Sequence, residues 1–243
     1  MSVSENQPYS TNESSNKQSS ASTNARNNII NKLKKEVIGA DYTKLPDEVS
    51  YQYPSLSHEQ QVAQFIGHLE ANHAQVIKLS VADIAQVVGE QLKQRNISSI
   101  MSGKDVEATK QLTKLNSDIA IEIFDFDLAE KFPDNNKEKL FNNTPAGITS
   151  SCGAIAATGS IVLWPTINEP RSLSLVPPLH FVIVDANTME QDFASLMKAQ
   201  QWHDKLPTNA ILISGPSKTA DIQQTLAYGA HGPKELIVLL LNS

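Results

Sequence analysis

The sequence predicts an α/β protein, a largely parallel sheet flanked by helices. Two observations carry that expectation. Short apolar runs alternate with amphipathic stretches of ~10–15 residues, the pattern of βαβ units. The glycines and prolines cluster in loops that follow or precede those runs, chiefly after Ala146.

The elements follow in order. Residues 1–28 are rich in Ser, Asn and Gln with almost no large apolar side chain, so we expect a disordered tail that cannot offset its chain entropy. Residues 29–243 form the single expected domain, with residues 29–57 its N-terminal helix and linker. Ile29, Ile30, Leu33, Val37 and Ile38 recur at helical spacing, and Gly39 stops that helix. Asp41 to Pro54 reads as an extended linker. Ser57 with Gln60 has the form of a capping box, opening a helix through Val62, Phe65, Ile66 and Leu69.

A strand at Val76–Leu79 follows, then a second capping signature at Ser80–Asp83 and a helix through Ile84, Val87, Val88 and Leu92. Ile97–Met101 is the next strand, followed by a helical stretch reaching Leu115 and a strand over Ile119–Phe126. Later strands are expected at Phe181–Val184, Ile211–Ile213 and Leu236–Leu241.

Composition narrows the function. The net charge of -6 is scattered, which argues against a nucleic-acid surface, and no apolar run approaches the ~20 residues of a membrane span. There is no apolar segment of signal-peptide type at the N-terminus, so a cytoplasmic location is expected. A single cysteine, Cys152, cannot supply a disulfide or a multi-thiolate cluster from these residues. Cys152 reads as a small filler rather than a nucleophile, and His58, His68 and His73 as surface or helix-end residues. No metal site is expected.

Three segments carry candidate chemistry. In Ala146–Trp164 a strand leads through small residues into a hairpin-like return. Thr158, Gly159 and Ser160 there present hydroxyls and an amide at a turn, or else simply pack helix against sheet. In Glu169–His180 the prolines stiffen a loop holding Arg171, a clamp for carboxylate or phosphate, or the partner of Glu169 or Asp185. In Ile211–Ile222 a buried strand runs into Gly215-Pro216-Ser217-Lys218-Thr219-Ala220-Asp221. A helix carrying Ile222, Leu226 and Ala227 on one face is expected next, its N-terminus suited to an anion. Gly229-Ala230-His231-Gly232-Pro233 then returns the chain to the last strand.

Gly215, Ser217, Lys218, Thr219 and Gly232, with Thr158, Gly159, Ser160 and Arg171, are the expected ligand contacts. Asp221 and His231 are the candidate acid and base. Because ligands in open parallel sheets gather beyond the carboxyl ends of the strands, Arg171, Thr158, Lys218, Asp221 and His231 are expected to converge on one crevice there.

Together, Ala154–Ser160, the Arg171–His180 loop, GPSKTADI from Gly215 and GAHGP from Gly229 resemble the LUD domain, in particular the lactate-utilisation protein C type. The resemblance covers roughly Ala25 to Leu241. It implies a fold similar to the NagB/RpiA/CoA-transferase-like superfamily of sugar-phosphate isomerases and CoA-transferases. It also implies a part in oxidising L-lactate to pyruvate beside partner iron–sulfur proteins, which would hold the clusters while this chain carries no cofactor. Family members commonly have an acidic residue where this chain has Ala157, which removes a candidate nucleophilic carboxylate. Two functions stay open. One is a non-redox subunit or accessory protein of an L-lactate dehydrogenase or oxidase complex that binds a small anion. The other is a stand-alone enzyme of CoA-transferase or formyl-tetrahydrofolate cyclo-ligase type.

Overall fold

The computed structural model describes residues 14–39, 53–115, 118–125, 133–220, 226–229 and 231–241. The chain divides into two compact units, residues 1–51 and 52–243. In the first, helix α1 spans Ser14–Glu36 and closes through a turn at Gly39 with φ +81°. It starts well before Ile29, so residues 14–28, expected to lack structure, are helical. The stretch contains neither glycine nor proline, and Ala21, Ala25, Lys17 and Gln18 are adequate helix formers. The expected linker lies mostly outside the described residues.

The second unit is built on a six-stranded, wholly parallel sheet. Its strands are β1 (Gln75–Leu79), β2 (Ser99–Gly103), β3 (Ala120–Phe124), β4 (Ala146–Ser150), β7 (Leu179–Asp185) and β12 (Glu235–Leu241), in the order β1-β12-β7-β4-β2-β3. The expected α/β architecture is therefore present. Strand β2 begins two residues later than the apolar pattern suggested, because Ile97 packs on the core from the turn before it.

Alternation along the strands sorts the core into two layers. Leu179, Phe181 and Ile183 of β7 and Ile237 and Leu239 of β12 face one side. There they meet α3 (Ile84–Gln94) and α4 (Glu107–Leu112) through Val88, Leu92, Ala108 and Leu112. Val182, Val184, Leu236, Val238 and Leu240 face the other side and meet Phe65 and Leu69 of α2 (His58–Ala71). Ser57 caps α2 as expected: its hydroxyl accepts from the Gln60 N–H, and the Gln60 side chain accepts from the Ser57 N–H.

The second face also carries a smaller sheet that the sequence showed only as a hairpin-like return. Strands β5 (Gly153–Ile155) and β6 (Ser160–Leu163) form that hairpin. Strand β8 (Met189–Glu190) extends it in parallel beside β5, and β9 (Ile211–Ile213) pairs antiparallel with β6. Helix α5 (Pro133–Asn143) and the single turn α6 (Ser172–Leu175) cover the remaining part of this face, where Leu140 and Leu173 pack on Met101. Helix α7 (Phe193–Ala199) backs the smaller sheet, with Leu196 packed on Ile155 and Val162.

One expected element differs among the described residues. The residues after Pro216 form β10 (Lys218–Ala220), paired antiparallel with β11 (Leu226–Tyr228), in place of a helix through Leu226 and Ala227. Thr219 favours extended backbone. Ser217 also fixes the register: its carbonyl accepts the Gly229 N–H at 3.0 Å, directly beyond the Lys218–Tyr228 pair. Lys218 and Thr219, expected at a helix N-terminus suited to an anion, are therefore in a strand.

Candidate functional site

On the second face of the large sheet, α6 covers β4 and the smaller sheet covers β7 and β12. Between them runs a seam. Gly147 of β4 makes it possible, because a Cβ there would stand 2.7 Å from the Leu173 carbonyl oxygen and 2.9 Å from Pro177. With no side chain in the way, the segment from Arg171 to Pro178 lies directly over the strand.

At the amino end of the seam is a cavity of about 200 Å³. Its polar lining comes from Ser174, His180, Ser214, Ser217 and His231, and its apolar lining includes Ile213 and Leu236. Among the described residues no Lys, Arg, Asp or Glu contributes. This position differs from the crevice expected beyond the carboxyl ends of the strands. Strand β9, which leads into Gly215-Pro216, belongs to the smaller sheet rather than the parallel one, so its end opens beside the first residues of β7 and β12.

Backbone hydrogen bonds draw the motif loops to this cavity. The Ser217 N–H donates to the Pro233 carbonyl at 2.8 Å, and the His231 N–H donates to Ser217 Oγ at 3.3 Å. The Pro178 carbonyl accepts from both Lys234 and Glu235, at 2.8 and 3.0 Å. Gly232 lies against Ser217, where a Cβ would sit 3.1 Å from Ser217 Cβ. The proline loop and both glycine-proline motifs are thus one structural unit.

His180 is the buried wall of the cavity. It is fully enclosed, and its Nε2 lies 2.8 Å from Thr149 Oγ1 while Nδ1 has no partner among the described residues. Burial alone pushes its pKa down to about 3, so the ring is neutral. A chain of three hydroxyls approaches from the other side: Thr158 to Ser160 at 2.8 Å, and Ser160 to Ser214 at 2.8 Å.

A tighter cleft lies at the carboxyl end of β4. It shares Ser174 with the cavity and is lined also by Ser150, Trp164, Glu169 and Arg171, with a volume of about 10 Å³. Glu169 Oε1 accepts the Ser150 N–H at 2.9 Å. Burial raises its pKa to about 7, against the lowering effect of that bond. Arg171 is exposed and makes no ion pair among the described residues, so neither Glu169 nor Asp185 is its partner.

The structure thus brings Gly215, Ser217, His231 and Gly232 together. Ser160 reaches the same cavity only through Ser214, and Thr158 is one hydroxyl further out and exposed. Gly159, at φ +61°, serves packing: a Cβ there would collide with His68 of α2. Arg171 belongs to the neighbouring cleft. Lys218 is exposed at the start of β10, and Thr219 lies within that strand. Asp221 lies outside the described residues. Cys152 packs beside Trp202 and Leu196, and burial drives its thiol up to about 11, as suits a filler. Ala157 occupies a tight turn where its N–H donates to the Gln191 carbonyl.

Residues 62–241, nearly the whole second unit, match the LUD domain family. The chain belongs to that family. This LUD domain is similar to Uncharacterized protein NMB1437 of Neisseria meningitidis serogroup B, at 33% identity over 89% of this chain and 93% of the relative. It is also similar to Lactate utilization protein C 1 of Bacillus mycoides, at 28% identity over 78% of this chain and 82% of the relative. Lactate utilization protein C of Bacillus licheniformis matches at 26% over 83% and 86%. A crystal structure of a DUF162 family protein from Deinococcus radiodurans shares the fold, with a TM-score of 0.58 and 20% identity over 77% of this chain and all of that one. The resemblance read from the motifs is borne out. No helix among the described residues of this LUD domain is long and apolar enough to cross a membrane.

Proposed function

We propose that the protein serves lactate utilisation as a non-redox component of an L-lactate-oxidising system, with iron–sulfur partner proteins carrying the electrons from lactate to acceptor. The observation that supports this reading best is the seam cavity. Both motif loops contribute to its lining, its volume of about 200 Å³ suits a three-carbon acid, and its polar side chains are hydroxyls and imidazoles. The relatives named for lactate utilisation align over most of the same residues. With one half-buried cysteine of raised pKa, the chain offers no thiolate set for a cluster, which supports assigning the electron carriers to partner proteins.

The transferase or ligase alternative receives less support. A nucleotide or thioester generally needs a pocket of ~300–1,000 Å³, and Ala157 offers no carboxylate. Glu169 is half-buried beside a cleft with room for about one water, too small for a covalent intermediate. Affinity purification from lactate-grown cells, with intact-complex mass spectrometry and an iron assay, tests the reading. Iron-containing partners at fixed stoichiometry, and a growth defect on lactate when the gene is deleted, are expected. A lone iron-free chain overturns it.

A further inference from the structure

We propose that residues 165–171 form a strap latched by Glu169, and that release of this latch joins the tight cleft at the carboxyl end of β4 to the seam cavity. The inference concerns access to the cavity and holds whatever molecule the cavity takes.

The segment has no regular structure and is pinned to the large sheet at two strand ends. The Lys104 N–H, just past β2, donates to the Asn168 carbonyl at 3.0 Å. The N–H of Ser150, the last residue of β4, donates to Glu169 Oε1 at 2.9 Å. Gly103 admits the first contact, since a Cβ there would collide with the Asn168 carbonyl oxygen. Between the pins the Thr166 N–H donates to the Glu169 carbonyl, and Thr166 Oγ1 accepts the Glu169 N–H, each at 3.1 Å, so the turn moves as one piece. Ile167 at its tip is 58% exposed, and little apolar packing resists displacement there.

The strap runs directly into α6. The Pro170 carbonyl accepts the Leu173 N–H at 3.0 Å, and the Arg171 carbonyl accepts both the N–H and the hydroxyl of Ser174, at 3.2 and 2.9 Å. Ser174 lines the cleft and the cavity alike, so the strap holds the partition between them. Leu173 is fully buried beside Met101 and Leu140 and stays seated as the pivot.

Of the two pins, Glu169 is the one that ionises. Burial raises its carboxyl to about 7, so the closed strap holds a proton that an open, solvated carboxyl gives up. Among the described residues lining the cleft, Arg171 is the other charged group, and it is exposed. At the neighbouring strand end Lys104 Nζ donates to Asp125 Oδ2 at 2.9 Å. Release is therefore favoured as pH rises through 7.

The test is amide hydrogen exchange of the full chain, followed by NMR at pH 6 and pH 8 and corrected for the chemical exchange rate. The Lys104, Thr166 and Ser174 amides, none bonded to the Glu169 carboxyl, should exchange about tenfold faster at pH 8, as a carboxyl moving between about 7 closed and an ordinary value open requires. Glu169→Gln keeps an oxygen for the Ser150 N–H and should abolish that rise. Glu169→Ala should speed the three amides about tenfold already at pH 6, with Leu239 of β12 unchanged. If the alanine variant fails to fold, Thr166→Val, which loosens the turn, should have the same effect at Lys104 and Ser174. A pH rise that survives in Glu169→Gln overturns the inference. So does faster exchange that extends equally to Leu239, or a Ser174 amide indifferent to loss of the latch.

Discussion

The hydroxyl of Thr149, on β4, lies 2.8 Å from Nε2 of His180, on the neighbouring strand β7, and both are buried. The register places Thr149 opposite Val182, so the bond slants across the ladder and ties two strands through side chains as well as backbone. It also fixes the orientation of the ring that walls the cavity. Thr149→Val keeps the shape and removes the partner, leaving the second imidazole nitrogen unsatisfied. We expect a loss of about 1–3 kcal/mol of stability, read as a lower midpoint in urea denaturation.

His180 and Glu169 give stability opposite pH dependences. The folded pKa of His180 is depressed to about 3 from 6.5, so only the unfolded chain takes up its proton in that window. Its contribution is complete above pH 6.5 and declines as pH falls toward 3. His180→Phe should flatten the acid limb of the stability profile, as followed by thermal melts at stepped pH.

For Glu169 the folded pKa is raised to about 7 from 4.5. Between those values the folded carboxyl holds a proton that the unfolded one has lost, so stability declines as pH rises through 7. Glu169→Gln retains an oxygen for the Ser150 N–H and cannot ionise. It should be more stable than the parent at pH 8 and close to it at pH 4, by the same melts.

These two groups mark where the sequence was legible and where it was not. Element types along the parallel sheet were readable because apolar runs such as Leu236–Leu241 are buried on both faces, and the Ser57 cap depends on neighbours three residues apart. His180 went unnoticed as a site residue. The signal was available: in Leu-His-Phe-Val-Ile-Val, a histidine takes an inward position of a buried strand, where a polar side chain needs a partner. That partner, Thr149, is 31 residues away and pairing alone reveals it. The strand Leu226–Tyr228 reads as helix in the sequence because Ile222, Leu226 and Ala227 happen to share a helical face. What decides the outcome is the Ser217–Gly229 and Ser217–Pro233 bonding, which is not local in sequence.

Gly159 combines a left-handed backbone, φ +61°, with contact against α2. Gly159→Ala should cost on the order of 1–3 kcal/mol for the backbone alone. The clash with His68 adds to that, and differential scanning calorimetry should show a clear drop in Tm. His68→Ala in the same chain should recover none of the loss, because the colliding atom is the His68 Cβ, which alanine keeps.

Cys152 should be slow to alkylate. Its thiol, driven up to about 11, is almost wholly protonated at pH 8, so labelling by iodoacetamide should track unfolding rather than pH. Rapid labelling of the native protein, measured by mass spectrometry, would contradict this.

The cavity draws its walls from two sheets that share no hydrogen-bonded strand pair: His180 and Leu236 from one, Ile211–Ile213 from the other. A small molecule touching both walls therefore recognises their docking and not either sheet alone. By mass action, occupancy at a hundred times Kd would hold that arrangement together by about 2.7 kcal/mol. Any molecule that bound there would couple its own level to the cohesion of the protein, and without it the seam would be the more open to local separation.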